Sequence, residues 1–96
     1  MSTAPRTDPD HVLEQMRDEI TDIDRQLIAL VNKRLEVVQR LWRYKEANGI
    51  PVADPGREEW LLRYLSRCSA GPLSHEGLAK LYTHVLELTK RELGGA

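Results

Sequence analysis

From Pro9 to Ala47 the chain contains no glycine and no further proline, so no residue in that stretch forces the backbone out of a helix. Apolar residues recur there at 13, 16, 20, 23, 27, 30, 37, 41 and 44, in steps of three and four with one gap. That is the spacing of an apolar stripe along an α-helix. Asp8-Pro9 supplies an N-cap and a proline at N1, where a missing N–H costs nothing. Asn48-Gly49 offers a left-handed stop, and Pro51 prevents the helix from resuming. Charge runs the same way. Seven acids and one base, Arg17, fall between 8 and 24, whereas five bases and one acid fall between 33 and 45, so both ends complement the helix dipole.

Asp54-Pro55 repeats the cap signature and opens a second helix to about Cys68, with Trp60, Leu61, Tyr64 and Leu65 as its apolar side. Residues 69–74 form a loop. Ser74 caps a third helix, with Leu73 and Leu78 at the two positions of a hydrophobic staple. The apolar side of that helix carries Leu78, Leu81, Tyr82, Val85, Leu86, Thr89 and Leu93. Residues 1–7 read as a disordered leader, 8–93 as one helical domain and 94–96 as a frayed tail. The expected fold class is all-α, with one long and two shorter helices per chain. A helix of about 40 residues spans about 60 Å, while the other two reach only about 20 and 28 Å. They cannot cover the long stripe, so an intertwined helical homodimer is expected.

Fourteen Lys and Arg against fifteen Asp and Glu leave a net charge of −1, which provides no general field for a nucleic-acid backbone or an anionic membrane. A single cysteine, Cys68, allows neither an internal disulfide nor a cysteine-based zinc site, and a reducing, cytoplasmic setting is the default. No apolar run is long enough for a secretion signal or a membrane span. The histidines at 11, 75 and 84 lack metal-ligand spacing, and neither a glycine-rich phosphate loop nor a nucleophile with an identifiable base is present. No metal or cofactor is expected. A site on this chain would consist of cations and hydrogen-bond donors, acting by shape and electrostatics.

The gap in the stripe is its sharpest feature. Stepping from Leu30 lands on Arg34 before Val37, so a guanidinium stands where packing favours an aliphatic side chain. Either Arg34 pairs with a glutamate of another helix or lies at the stripe's edge, or it binds an anionic ligand. Lys45, eleven residues on, lies within about 20° of the same face and about 16 Å along the axis. It reads either as a second cation for the same ligand or as a solvated lysine facing the helix dipole. Arg57, in the first turn of the second helix, opposes the dipole unless it faces a carboxylate, from a ligand or from Asp54 or Glu58. Thr89 interrupts the third apolar side, and the plain reading is a hydroxyl bonded to the carbonyl four residues back.

Taken in order, residues 16–24, 27–34, 43–45 and 51–58 (MRDEITDID, LIALVNKR, RYK, PVADPGRE) resemble the all-helical AroQ class of chorismate mutase, over roughly residues 12–93. The resemblance implies an isomerase of aromatic amino acid biosynthesis, in the shikimate pathway, that rearranges chorismate to prephenate by a [3,3] shift without metal or cofactor. By the same resemblance Arg34, and Arg17 from the other protomer, bind the substrate carboxylates, and Lys45 donates to the ether oxygen. Arg57 supports carboxylate binding, Asp54 and Glu58 hold the hydroxyl region, and Thr89 replaces a family serine as a carboxylate donor. Geometry agrees on Arg17, which lies about 25 Å along the helix from Arg34. Leu93 stands where the family has a glutamine that donates to the ether oxygen. That departure leaves open a mutase of low stand-alone activity that needs a partner such as DAHP synthase, with which some family members are fused or associate. It also leaves open isochorismate-pyruvate lyase, aminodeoxychorismate mutase, or a non-catalytic helical dimerisation or regulatory module.

Overall fold

The computed structural model describes residues 8–94, which form three α-helices: α1 (Pro9–Ala47), α2 (Pro55–Cys68) and α3 (His75–Gly94). No strand occurs among the described residues, and no helix among them is long and apolar enough to cross a membrane. The leader at 1–7 and residues 95–96 of the expected tail lie outside the described residues. Gly94, expected in that tail, is instead the last residue of α3.

Capping chemistry accounts for the helix ends. The Asp8 carboxylate accepts from the Asp10 amide at 3.2 Å, satisfying a donor that the first turn leaves over. At the other end of α1, Gly49 adopts φ +67°. Ile50 N–H donates to the Lys45 carbonyl at 2.8 Å, and Gly49 N–H to that of Glu46 at 3.4 Å. These are the two crossed bonds of a Schellman motif. Asp54 caps α2 by accepting from the Arg57 amide at 3.0 Å, with Pro55 opening the helix. Ser74 caps α3 through the Gly77 amide, also at 3.0 Å.

The chain divides into two units, Met1–Glu36 and Val37–Ala96, the division falling within α1. In the first, Leu13, Met16, Ile20, Ile23, Leu27 and Leu30 are all 47–63% exposed. Val31, Arg34 and Leu35 are half-buried instead. In the second unit α2 packs against α3, around Leu78 and Thr89, which are 5% and 4% exposed. From α2 the half-buried residues are Glu58, Leu61, Leu62, Leu65 and Ser66; from α3 they include Tyr82, Val85, Leu86 and Leu93.

Two expectations are corrected here. The sequence pattern assigns Trp60 and Tyr64 to the apolar side of α2, but both are exposed and Leu62 is turned inward in their stead. The rings stack on each other, centroids 4.9 Å apart at 11°, which covers one face of each without the core. Cys68 is likewise exposed. Leu81 of α3 is 49% exposed, outside the packed face that its spacing predicts.

The connection between α1 and α2 rests on local chemistry that single substitutions can probe. An added Cβ at Gly49 meets nothing within 4 Å, so Gly49→Ala should cost about 1 kcal/mol from backbone strain alone. Asp54→Ala should cost about as much through the lost cap, typically ~1 kcal/mol. Each should lower the thermal midpoint by about 4–8 °C, read by circular dichroism with the helix content otherwise retained.

Candidate active site

The Schellman turn that ends α1 also places Lys45. Its carbonyl accepts from Ile50, and its half-buried side chain returns over the turn to donate from Nζ to the Val52 carbonyl at 3.4 Å. An ammonium carries three donors, so this bond orients the group and leaves further donor capacity. A cation so placed, partly withdrawn from water, interacts more strongly with an anion than one on an open surface.

Two residues after Val52, Asp54 uses its carboxylate to cap α2. The cap sets the first turn of α2 and so the direction in which its next two side chains leave. Arg57 does not pair with Asp54 or Glu58; its guanidinium lies 4.1 Å from the centroid of the Trp60 ring, a cation–π contact. The carboxylate expected to face this arginine is therefore not Asp54 or Glu58, and the ring face takes that place. Glu58 points toward α3, where Lys90 Nζ meets its Oε1 at 3.0 Å. Nothing in the sequence singles out Lys90, because a lysine on the polar side of a helix is ordinary there.

Thr89, the neighbour of Lys90, is almost wholly buried. Its hydroxyl donates to the Val85 carbonyl at 2.8 Å, the i−4 bond expected of a threonine inside a helix. Donation to a ligand carboxylate requires that proton to leave Val85. Leu93, one turn further on, is half-buried within a helix that is regular to Gly94. Further along α2, the Tyr64 phenol is pushed above its ordinary pKa of 10.0 by a hydrogen bond with Cys68, and further by the charge of that thiol when ionised.

Lys45, Asp54, Glu58, Thr89 and Leu93 thus belong to the second unit, with Arg57 turned onto Trp60. Arg17 and Arg34 belong to the first, Arg17 exposed and Arg34 half-buried. A depression of about 570 Å³ along α2 is lined by Leu62, Arg63, Ser66 and Arg67, none of them an expected site residue. No group of three or more His, Cys, Asp or Glu among the described residues is placed to hold a metal ion. What the second unit offers is a held ammonium, a carboxylate paired across two helices and a buried hydroxyl. Of these, the ammonium and the hydroxyl are groups able to donate to an anionic small molecule and to stabilise charge that develops on an oxygen.

Comparison with known proteins follows the same outline. The chain is 30% identical to chorismate mutase (form II) from Thermus thermophilus, with a TM-score of 0.77 over 80% of this chain and 88% of that one. It is 29% identical over 80 residues to the bifunctional chorismate mutase/prephenate dehydratase of Stutzerimonas stutzeri, across 77% of this chain and 22% of that protein. The chain therefore spans only about a fifth of the length of such bifunctional relatives. It is also 29% identical to 4-amino-4-deoxychorismate mutase of Streptomyces venezuelae, over 77% of this chain and 73% of that protein. Residues 16–92 match the family described as chorismate mutase type II. Since that match runs from the second turn of α1 almost to the end of α3 and omits no element of the fold, the chain belongs to the chorismate mutase type II family.

Proposed function

We propose that the protein is an isomerase that rearranges chorismate to prephenate by a [3,3] shift, using electrostatics alone. The observation that carries this is Lys45, a half-buried ammonium held to the Val52 carbonyl, in a chain matching the family over residues 16–92. In this reading Lys45 donates to the ether oxygen as the C–O bond breaks, and strengthens its bond as charge grows there. Arg34 and the partner protomer's Arg17 bind the two carboxylates, Arg57 supports them after leaving Trp60, and Thr89 contributes its hydroxyl. Asp54 and Glu58 hold the hydroxyl-bearing side of the ring. The likeness to the Streptomyces venezuelae enzyme supports a second reading, mutase action on the 4-amino analogue. Loss of the chorismate diene absorbance, with product identification, separates the two readings. Prephenate supports the first, selectivity for the amino substrate the second, and pyruvate release opposes both.

A homodimer is part of the proposal. The six exposed apolar side chains of α1's first unit gain about 5–9 kcal/mol if the remaining half of their burial is completed, at about 1.5–3 kcal/mol per full side chain. A second copy supplies a matching stripe by twofold symmetry. Association with DAHP synthase, which would raise a low intrinsic rate, and a cytoplasmic setting that suits the exposed thiol of Cys68 complete the reading.

Substitutions at five positions test it. Lys45→Ala should lower kcat by about 10²–10³, and unchanged kcat removes Lys45 from the mechanism. Arg34→Ala should abolish most turnover with the helix content largely intact; a loss of about 3–5 kcal/mol in stability, read by thermal melting, marks a structural ion pair. Mixing Arg17→Ala with Lys45→Ala chains should restore about a quarter of all sites after random exchange, since each mixed dimer regains one complete site. No recovery, with exchange shown by mass spectrometry, means Arg17 does not act across the interface. Finally, Leu93→Gln should raise kcat by roughly 10-fold, through a hydrogen bond of about 1.5 kcal/mol or more that strengthens with developing charge. Because α3 is regular through Gly94, Glu92 points about 100° away and Glu92→Gln should not substitute for it.

A further inference from the structure

The Glu58–Lys90 pair joins α2 to α3 at 3.0 Å, with the carboxylate side chain 35% and the lysine 61% exposed. Arg25–Asp22 and Lys80–Glu76 each stay within one helix, as does the contact of His84 with Glu87. A pair this exposed adds little to stability. Its larger consequence is for the charge that Glu58 presents. The other charged groups nearby along the chain are engaged elsewhere: Arg57 on the Trp60 ring, the Asp54 carboxylate on the Arg57 amide and Lys45 on the Val52 carbonyl. Lys90, in direct contact at 3.0 Å, is a cation that offsets Glu58.

Whether Glu58 is offset matters for what can lie against it. A hydroxyl is neutral and can donate to a carboxylate whether or not a lysine shares that carboxylate. An aliphatic amine is protonated at neutral pH; it is attracted by a lone carboxylate and repelled by a neighbouring ammonium. We propose that Lys90 is a specificity-determining residue, which by pairing with Glu58 selects a substrate bearing a neutral 4-hydroxyl over one bearing a 4-ammonium. The inference rests on the reading above in which Glu58 holds the hydroxyl-bearing side of chorismate. Lys90 touches no reacting atom in it and acts through Glu58. A unit charge about 6 Å from the substrate ammonium, at an effective dielectric of about 40, corresponds to about a 10-fold change in selectivity.

The test compares kcat/KM for chorismate and 4-amino-4-deoxychorismate in the wild-type dimer, Lys90→Met and Lys90→Arg. Lys90 is exposed enough that neither change should disturb folding, which circular dichroism checks. The amino-to-hydroxy ratio should rise about 10-fold in Lys90→Met, mostly through a lower KM for the amine. The rise should shrink as salt is added, and Lys90→Arg should keep the wild-type ratio within about twofold. If wild type turns over only chorismate, the appearance of amine turnover in Lys90→Met supports the proposal and its absence overturns it. An unchanged ratio, with chorismate still converted, overturns the role of Lys90 and leaves the mutase reading standing. If wild type converts neither substrate, the mutase reading falls and takes this inference with it.

Discussion

Apolar side chains lie on two neighbouring stripes of α1, and the helix's long cationic side chains lie beside them. One stripe, from Leu13 to Tyr44, remains exposed in the single chain. The other runs through Val31, Leu35, Val38 and Trp42, and is half-buried. At 100° per residue the two are about 120° apart over residues 30–44, and Arg34 and Lys45 fall between them. Arg34 and Lys45 therefore have a long apolar stem to bury and a charged end to present, the arrangement in which such side chains are least costly. Cations held this way are partly withdrawn from water.

The turns carry the next part of the arrangement. A Schellman end at Gly49 and a carboxylate cap at Asp54 bracket a connection of seven residues between α1 and α2. Lys45 donates into that connection at Val52, so the α1 terminus is tied to it by side chain as well as by backbone. The same cap sets the first turn of α2, from which Arg57 leaves toward Trp60 and Glu58 toward α3. Helix-capping chemistry, worth only about 1 kcal/mol per bond, here decides the direction of groups assigned to substrate. The proposed rearrangement uses neither a nucleophile nor a metal, so in that reading such directions matter, because charge placement carries the catalysis.

Much of this is legible in the residues themselves. The three helices end within a residue of where their caps stand in the sequence, because Asp8, Asp54, Ser74 and Gly49 act on backbone groups no more than four positions away. The i−4 bond of Thr89 is equally local. Arg34 stands out because it breaks a period. The half-buried stripe beside it has the same 4-3-4 spacing and is masked in the sequence because the longer, exposed stripe has the stronger signal.

Sequence alone determined the helices, their polarity and the positions at which charge interrupts an apolar surface, since all of these follow from bonds and spacings within a few turns. Only the tertiary structure decided which face of α2 turns inward, leaving Trp60 and Tyr64 outside to stack on each other and receive Arg57. It also brought Lys90 to Glu58. Those two residues lie on different helices and meet because α2 and α3 pack along one particular pair of faces. No periodicity along a single helix contains that choice, since it depends on how side chains of two helices fit together.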